Sequence, residues 1–361
     1  MLFRSKGTVV YLEHLTPEGV EAQKDRLGGQ IVLVDRASVG ENAPFGQILK
    51  ASEMLAKTNA KAVLMYGGAN GTETASSLSF DGSISPIPVA QIGVEDVQLI
   101  RRMMEHGAVT VEFSFKNRIR RDVTVNNVVA EIAGRDLPNE VVIVGGHLDS
   151  WHPGTGAQVN GTGAATAIDV ARAIKASGKP PRRTVRFILF GGEEQGLLGS
   201  VAYAKRHSGE MGAIDCVLIS DTGAQPAKGW YVMGREDEQK ALTNVEPLLA
   251  GLGSNQTTTS VEFLFETDHI GFDVQGVPTL VLWNDVDKYF RLHHKASDTF
   301  DAVTQADLNQ GVATTAATAY AIADSAQSFA AHDTPAQVEE FLKNAKQWDD
   351  YQYFKSKSVL P

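Results

Sequence analysis

Apolar residues fall into two rhythms along this chain: short runs rich in β-branched residues, and stretches where apolar residues return every three or four positions. GQIVLV at 29–34 and KAVLMYGG at 61–68 are of the first kind, and each predicts a strand. Between them FGQILKASEMLAK at 45–57 has helical spacing, as does VEDVQLIRRMMEHG at 94–107, where Gly107 stops the run. SPIPVAQIG at 85–93 sets two prolines beside an apolar pair, and AVTVEFSFK at 108–116 alternates as a half-exposed strand does. Residues 1–118 therefore read as a small mixed β/α domain without a cluster of metal-type ligands.

A second portion, residues 119–330, reads differently. VTVNNVVAEIAG and NEVVIVGGH predict consecutive strands, followed by a Gly-rich loop and a small-residue helix in GAATAIDVARAIKASG, closed by Gly178 and the Pro180-Pro181 pair. TVRFILFGG is almost wholly apolar, as a central strand covered on both faces should be. LLGSVAYAKRH predicts a helix, CVLISD and VPTLVLWN strands, and TQADLNQGVATTAATAYAIADSAQSFAAH at 304–332 one long Ala-rich helix. Residues 331–361 form a tail with a short helical pattern. Strands alternating with helices make this portion α/β, a mostly parallel central sheet flanked by helices. Ligands of such sheets gather beyond the carboxyl ends of the strands.

Composition adds exclusions. A length of 361 residues allows two domains, and a formal charge of −10 argues against nucleic acid as a partner. Cys216 is the single cysteine, so neither an intrachain disulfide nor a Cys-based zinc cluster can form. No apolar run has the length of a membrane helix. The opening MLFRSKGTVVYL lacks the apolar core and cleavage site of a secretory signal, which leaves a cytoplasmic protein or a mature or truncated piece of an exported one.

Polar residues with chemistry fall at the ends of the core strands. EVVIVGG delivers His147 and Asp149, FILFGG delivers Glu193 and Glu194, CVLIS delivers Asp221, and YFRLHHKASDT holds His293, His294 and Asp298. Imidazoles among several carboxylates suit zinc or a similar divalent ion. Of two adjacent glutamates, one can hold a metal while its neighbour takes a proton from water. Each residue also has a plainer reading. Glu193-Glu194 suits a helix N-terminus, Asp298-Thr299 an ordinary helix cap, and His293 a structural place. GTGAQVNGTG has neither GxGxxG spacing nor a Lys-Ser/Thr pair, and Ser150 lacks a nucleophile elbow, so a nucleotide cradle and a serine hydrolase are set aside.

GGHLDSW, GGEEQGLLGS, the strand-ending Asp221 and HHKASDT, in this order, resemble the co-catalytic zinc exopeptidases, the family of plasma glutamate carboxypeptidase and the bacterial leucine-type aminopeptidases. The resemblance spans residues 122 to about 325, while LGGQIVLVDR and IPVAQIG make residues 1 to about 118 similar to a protease-associated domain. It implies two zinc ions per chain, His147 and Asp221 on one and Glu194 and His294 on the other. Glu193 would be the general base, and Asp149 would orient His147. It further implies a short peptide or dipeptide as substrate, an extracytoplasmic (periplasmic or secreted) location and a homodimer as an assembly to test for. Relatives with the inserted domain carry part of the peptidase fold ahead of it, so the opening helices of that fold are expected to be missing here.

One position departs from the family pattern. Where it has Asp-Asp-Gly, with the first aspartate bridging the metals, this chain has Val159-Asn160-Gly161. An isopropyl group cannot bind zinc, and Asn160 is a neutral ligand one place out of register. Without the shared anion, two close dications repel strongly. The pattern thus predicts an incomplete site with one metal or weak occupancy. It belongs to an impaired exopeptidase, to a non-catalytic peptide- or partner-binding relative, or to an altered form of an active enzyme. His152 and His269 are the candidate substitute ligands, and Thr267-Asp268-His269 reads equally as a surface loop or a pocket wall.

Overall fold

Two sheets carry the chain, and each grows from the apolar runs just described. The computed structural model describes residues 3–35, 38, 45–66, 85–116, 123–151, 154–262, 264–357 and 359–361. His152, the end of the predicted 61–68 strand and the expected boundary at 118/119 lie outside the described residues. The chain divides into two units, Met1–Thr124 with Asp349–Phe354, and Val125–Trp348 with Lys355–Pro361.

In the first unit, β1 (Phe3–Tyr11), β2 (Ile31–Val34), β3 (Ala62–Tyr66), β4 (Val89–Ile92) and β5 (Thr110–Phe115) form a sheet of order β4-β3-β2-β1-β5. All pairings are parallel except β1 with β5. The run IVLV is buried throughout because its two faces serve different cores. Val32 and Val34 pack with Val20, Leu27, Ala51 and Leu55 from the helices Pro17–Leu27 and Phe45–Ala56. Ile31 and Leu33 pack with Val97 of the helix Val94–Met104.

In the second unit, the strands are β6 (Val128–Ile132), β7 (Leu137–His147), β8 (Arg183–Phe190), β9 (Ile214–Ile219), β10 (Ala227–Tyr231), β11 (Gln256–Thr258) and β12 (Thr279–Asn284). Their order is β11-β10-β12-β9-β7-β8-β6, with antiparallel pairings only at β6–β8 and β10–β12. The sheet is therefore mixed, with a parallel centre flanked by helices. Val142, Val144, Val185, Phe187, Leu218 and Leu280 pack with Ala167 and Val170 of the helix Thr162–Ala176 and with Ala319 and Ile322 of the helix Gln305–Asp324. Alanine and glycine along those helices let them approach the sheet closely.

The Ala-rich helix expected over 304–332 stops at Asp324. The base of the sheet captures the residues beyond it: the Phe329 N–H donates to Asp215 (3.2 Å), and a ring nitrogen of His332 lies 2.7 Å from the Ile214 carbonyl oxygen. β6 and β7 follow each other in sequence, yet β8 lies between them. This order sets the carboxyl ends of β7, β8 and β9 side by side, with His147 opposite Phe190 and Gly145 opposite Ile219. The residues just past Phe190 and Ile219 are thereby brought to His147.

Candidate metal centre

His147 is the last residue of β7 and is 1% exposed. One ring nitrogen, Nδ1, lies 2.9 Å from the Asp149 carbonyl oxygen, where it can donate its proton. That leaves Nε2 facing Asp221 Oδ1 at 3.0 Å and Glu193 Oε2 at 3.8 Å. Burial works against charge on this imidazole, but Asp221 and Glu193 outweigh it and hold His147 well above its ordinary range. On the far side, His294 Nε2 lies 2.7 Å from Glu194 Oε2.

The two glutamates sit on a turn of unusual construction. Gly191 would carry a Cβ only 2.5 Å from a Val125 methyl, and Gly199 one only 2.4 Å from both Asn127 and the Gly191 carbonyl. Asn127 ties these glycines together by accepting from the Gly191 N–H (3.1 Å) and donating to the Gly199 carbonyl (2.9 Å). The Asp149 carboxylate accepts from the N–H groups of Gly192, Glu193 and Glu194 at 2.8, 3.1 and 3.2 Å. Its carboxylate thus faces the glutamate turn, and its nearest approach to His147 Nδ1 is 3.8 Å. Burial pushes Glu193 well above the usual carboxyl range against the pull of His147, and Asp221 and Asp268 add to the rise.

His294 follows the helix Val286–Leu292 in a left-handed conformation, φ 58°, which side chains other than glycine adopt at a cost of about 1–3 kcal/mol. Stacking on His293 (3.6 Å between centroids) and the Glu194 contact hold it there. His293 is half-buried, and desolvation and then His294 push its proton affinity well down. Tyr289, buried on the same helix, is pushed above its ordinary range by burial and then by Asp221, Glu194 and Glu193. It faces the same carboxylates and was not singled out from the sequence.

The Val159 turn is equally well held. The Val159 N–H donates to Asp298 Oδ2 (3.1 Å), the Gln158 N–H donates to Asp298 Oδ1 (2.7 Å), and the Ser150 hydroxyl donates to the Val159 carbonyl. Asp298 is thus a clamp on this turn, a tie between residues 139 apart that no local pattern displays. Asn160 donates to the Ser220 carbonyl (2.8 Å) and accepts from the Gly163 N–H (3.0 Å), so both ends of its amide are engaged. The Val159 side chain is buried and brings no donor atom.

Among the described residues, one group has ligand atoms all within 4.8 Å of one another: His147, Glu193 and Glu194. Glu194 Oε1 is buried without a hydrogen bond, as an atom awaiting a cation would be. An imidazole and carboxylates fit a divalent ion. The set fits one ion or weak occupancy and falls short of a full two-metal site, since Val159 and Asn160 contribute nothing to it. His269 stands outside the group. Both its ring nitrogens are buried without partners, and burial lowers it to about 3. Asp268 is fully buried, and burial raises it to about 7 against the pull of His147. The 267–269 segment is therefore interior, not a surface loop.

Imidazoles and carboxylates converging at the carboxyl ends of parallel strands define a candidate divalent-metal centre on an α/β sheet. Residues 127–319 match Peptidase family M28, and the chain belongs to that family. It is 34% identical over 247 residues to human Carboxypeptidase Q, covering 68% of this chain and 52% of that protein. It is 30% identical over 253 residues to a probable leucine aminopeptidase 2 of Aspergillus oryzae, covering 70% and 47%. The chain thus spans about half the length of the curated relatives it matches. Among solved structures, a Peptidase M28 precursor from Shewanella amazonensis superposes with a TM-score of 0.73 at 25% identity, covering 91% of this chain and 76% of that one. A zinc aminopeptidase from Bacillus subtilis shares the fold with a TM-score of 0.62 at 19% identity, covering 91% and 78%.

Proposed function

We propose that this chain is a zinc-dependent exopeptidase acting on short peptides, with a metal centre weakened by the loss of its bridging carboxylate. The observation that carries this reading is the gathering of His147, Glu193 and Glu194 within 4.8 Å at one sheet edge of an M28 family member. His147, Asp221, Glu194 and His294 would hold the metal. A bound divalent ion lowers the pKa of water and polarises a scissile carbonyl. Glu193, buried and raised in proton affinity, takes the proton of the attacking water and passes it to the leaving amine. Asp149 fixes the backbone of the glutamate turn so that the two carboxylates point to different tasks.

Residues 1–118 serve in this reading as a protease-associated module, and the protein works outside the cytoplasm. A second reading, a non-catalytic peptide- or partner-binding relative, draws its support from Val159 alone. Metal analysis of the purified protein, beside turnover of a dipeptide panel, separates the two. Zinc in the protein with turnover that Glu193→Gln abolishes supports the enzyme. A folded chain that takes up no zinc and cleaves no dipeptide overturns it.

A further inference from the structure

Cleavage of an amide builds negative charge on the carbonyl oxygen, and that charge must meet a cation or a hydrogen-bond donor. At the metal centre the donors described so far are already engaged. His147 turns one ring nitrogen to the Asp149 carbonyl and the other to Asp221. His294 turns Nε2 to Glu194, and the Asn160 amide donates to the Ser220 carbonyl. Because the ligand set fits one ion or weak occupancy, positive charge is also scarcer here than in a full two-metal site.

Tyr289 stands between the two halves of this centre. It is 4% exposed and lies in the middle of the helix Val286–Leu292. On one side its ring centroid is 5.1 Å from that of His293, the residue before His294. On another it packs against Gly223, two residues after Asp221, where a Cβ would come within 2.9 Å of Tyr289 Cδ2. Asp221, Glu194 and Glu193 are near enough for their charges to act on the phenol, yet none of them takes a hydrogen bond from it. The hydroxyl has no hydrogen-bond partner among the described residues, and it is not one of the unmatched atoms sealed from solvent. Burial first, and then those carboxylates, push the phenol above its ordinary range, so at neutral pH it keeps its proton and is a donor.

We infer that Tyr289 is a further catalytic residue, whose phenol O–H donates a hydrogen bond to the oxyanion formed from the scissile carbonyl. The inference rests on the exopeptidase reading. In the addition step the water oxygen bonds to the scissile carbon, the carbonyl π pair moves onto its oxygen, and the water proton passes to Glu193. The phenol keeps its own proton throughout and only donates a hydrogen bond, which strengthens as charge gathers on that oxygen. A ligand or general-base role would require the phenol to lose its proton, which the surrounding carboxylates oppose. Packing alone would account for the ring between Gly223 and His293, but not for a donor left unmatched in front of three carboxylates.

Tyr289→Phe tests this, because it keeps the ring and removes only a hydroxyl that no protein group uses. In the full chain with zinc, kcat on a dipeptide that the parent cleaves should fall about 100-fold, while KM stays within about threefold. A phosphinate analogue of that dipeptide, with a tetrahedral anion in place of the scissile amide, should bind at least about tenfold more weakly by calorimetry. Zinc affinity and the urea midpoint should match the parent's. Unchanged kcat and phosphinate affinity, in a parent that does turn over, would leave Tyr289 a packing residue and overturn this inference alone. Zinc lost together with turnover would overturn it too, by making the hydroxyl a support of the metal. A parent with neither zinc nor turnover would overturn the exopeptidase reading itself, and this inference with it.

Discussion

Val159 is held in place by groups that make no use of its isopropyl side chain. Asp298 and Ser150 grip its N–H and carbonyl, and Asn160 fastens the next residue to Ser220 and Gly163. The turn is thus fixed through its backbone, and the buried side chain it carries at 159 cannot ligate. Val159→Asp should change stability in opposite directions with and without zinc. In chelator the new carboxylate is buried at the Val159 position without a compensating cation, and stability should fall by about 2–4 kcal/mol. With zinc present the loss should reverse. Affinity should rise at least about tenfold, the lower end of what even an indirect partner of a metal ligand is worth, and dipeptide turnover should rise with it. Calorimetric zinc titration beside urea unfolding in chelator checks both halves. A variant whose stability ignores zinc would mean that Val159 does not face the metal position.

The elements around the site differ in how openly they declare themselves. The glutamate turn depends on Asn127, which precedes β6 and is remote in sequence from the glycines it ties. Asn127→Ala removes two hydrogen bonds, so it should cost about 1–3 kcal/mol and weaken zinc binding by letting Glu193 and Glu194 drift. Equilibrium unfolding and a zinc titration would show the paired loss, and unchanged zinc affinity would dismiss the positioning role. β2, β7, β8, β9 and β12 were legible because strands buried on both faces must be apolar throughout. β1 was not, since it alternates charged residues with Ser5 and Gly7 on its inward face, where Ile31 leaves little room for a larger side chain. β10 and β11, AKGWY and QTT, are too short and mixed to carry a period. The Ala-rich helix was legible in kind but not in extent, because Asp215 and Ile214 end it from across the fold.

At the scale of the whole molecule, the candidate ligands were legible because strand ends are marked by apolar runs, and a parallel sheet brings such ends together. The interior polarity around them was not. Thr267, Asp268 and His269 look like a loop in sequence, yet all three are buried. This burial fixes a pH dependence. Buried His269 is held near 3, below its ordinary 6.5. A lowered folded value means that the unfolded chain binds a proton the folded chain refuses throughout that window. Stability should therefore fall as the pH drops from about 6.5 toward 3, by up to about 1.4 kcal/mol per pH unit. Half-buried His293, also lowered, adds in the same sense. Asp268, raised to about 7, acts oppositely: its contribution is whole below about pH 4 and is lost as the pH rises through 7. A single variant separates these terms. His269→Leu keeps the volume and removes the titrating ring, so its stability measured by urea should decline less steeply from about pH 6.5 to about pH 4 than the parent's, while both keep the same slope above about pH 7. Parallel curves throughout the acid range would show that His269 is protonated inside the fold, and would put a donor-accepting partner next to a ring that has none here.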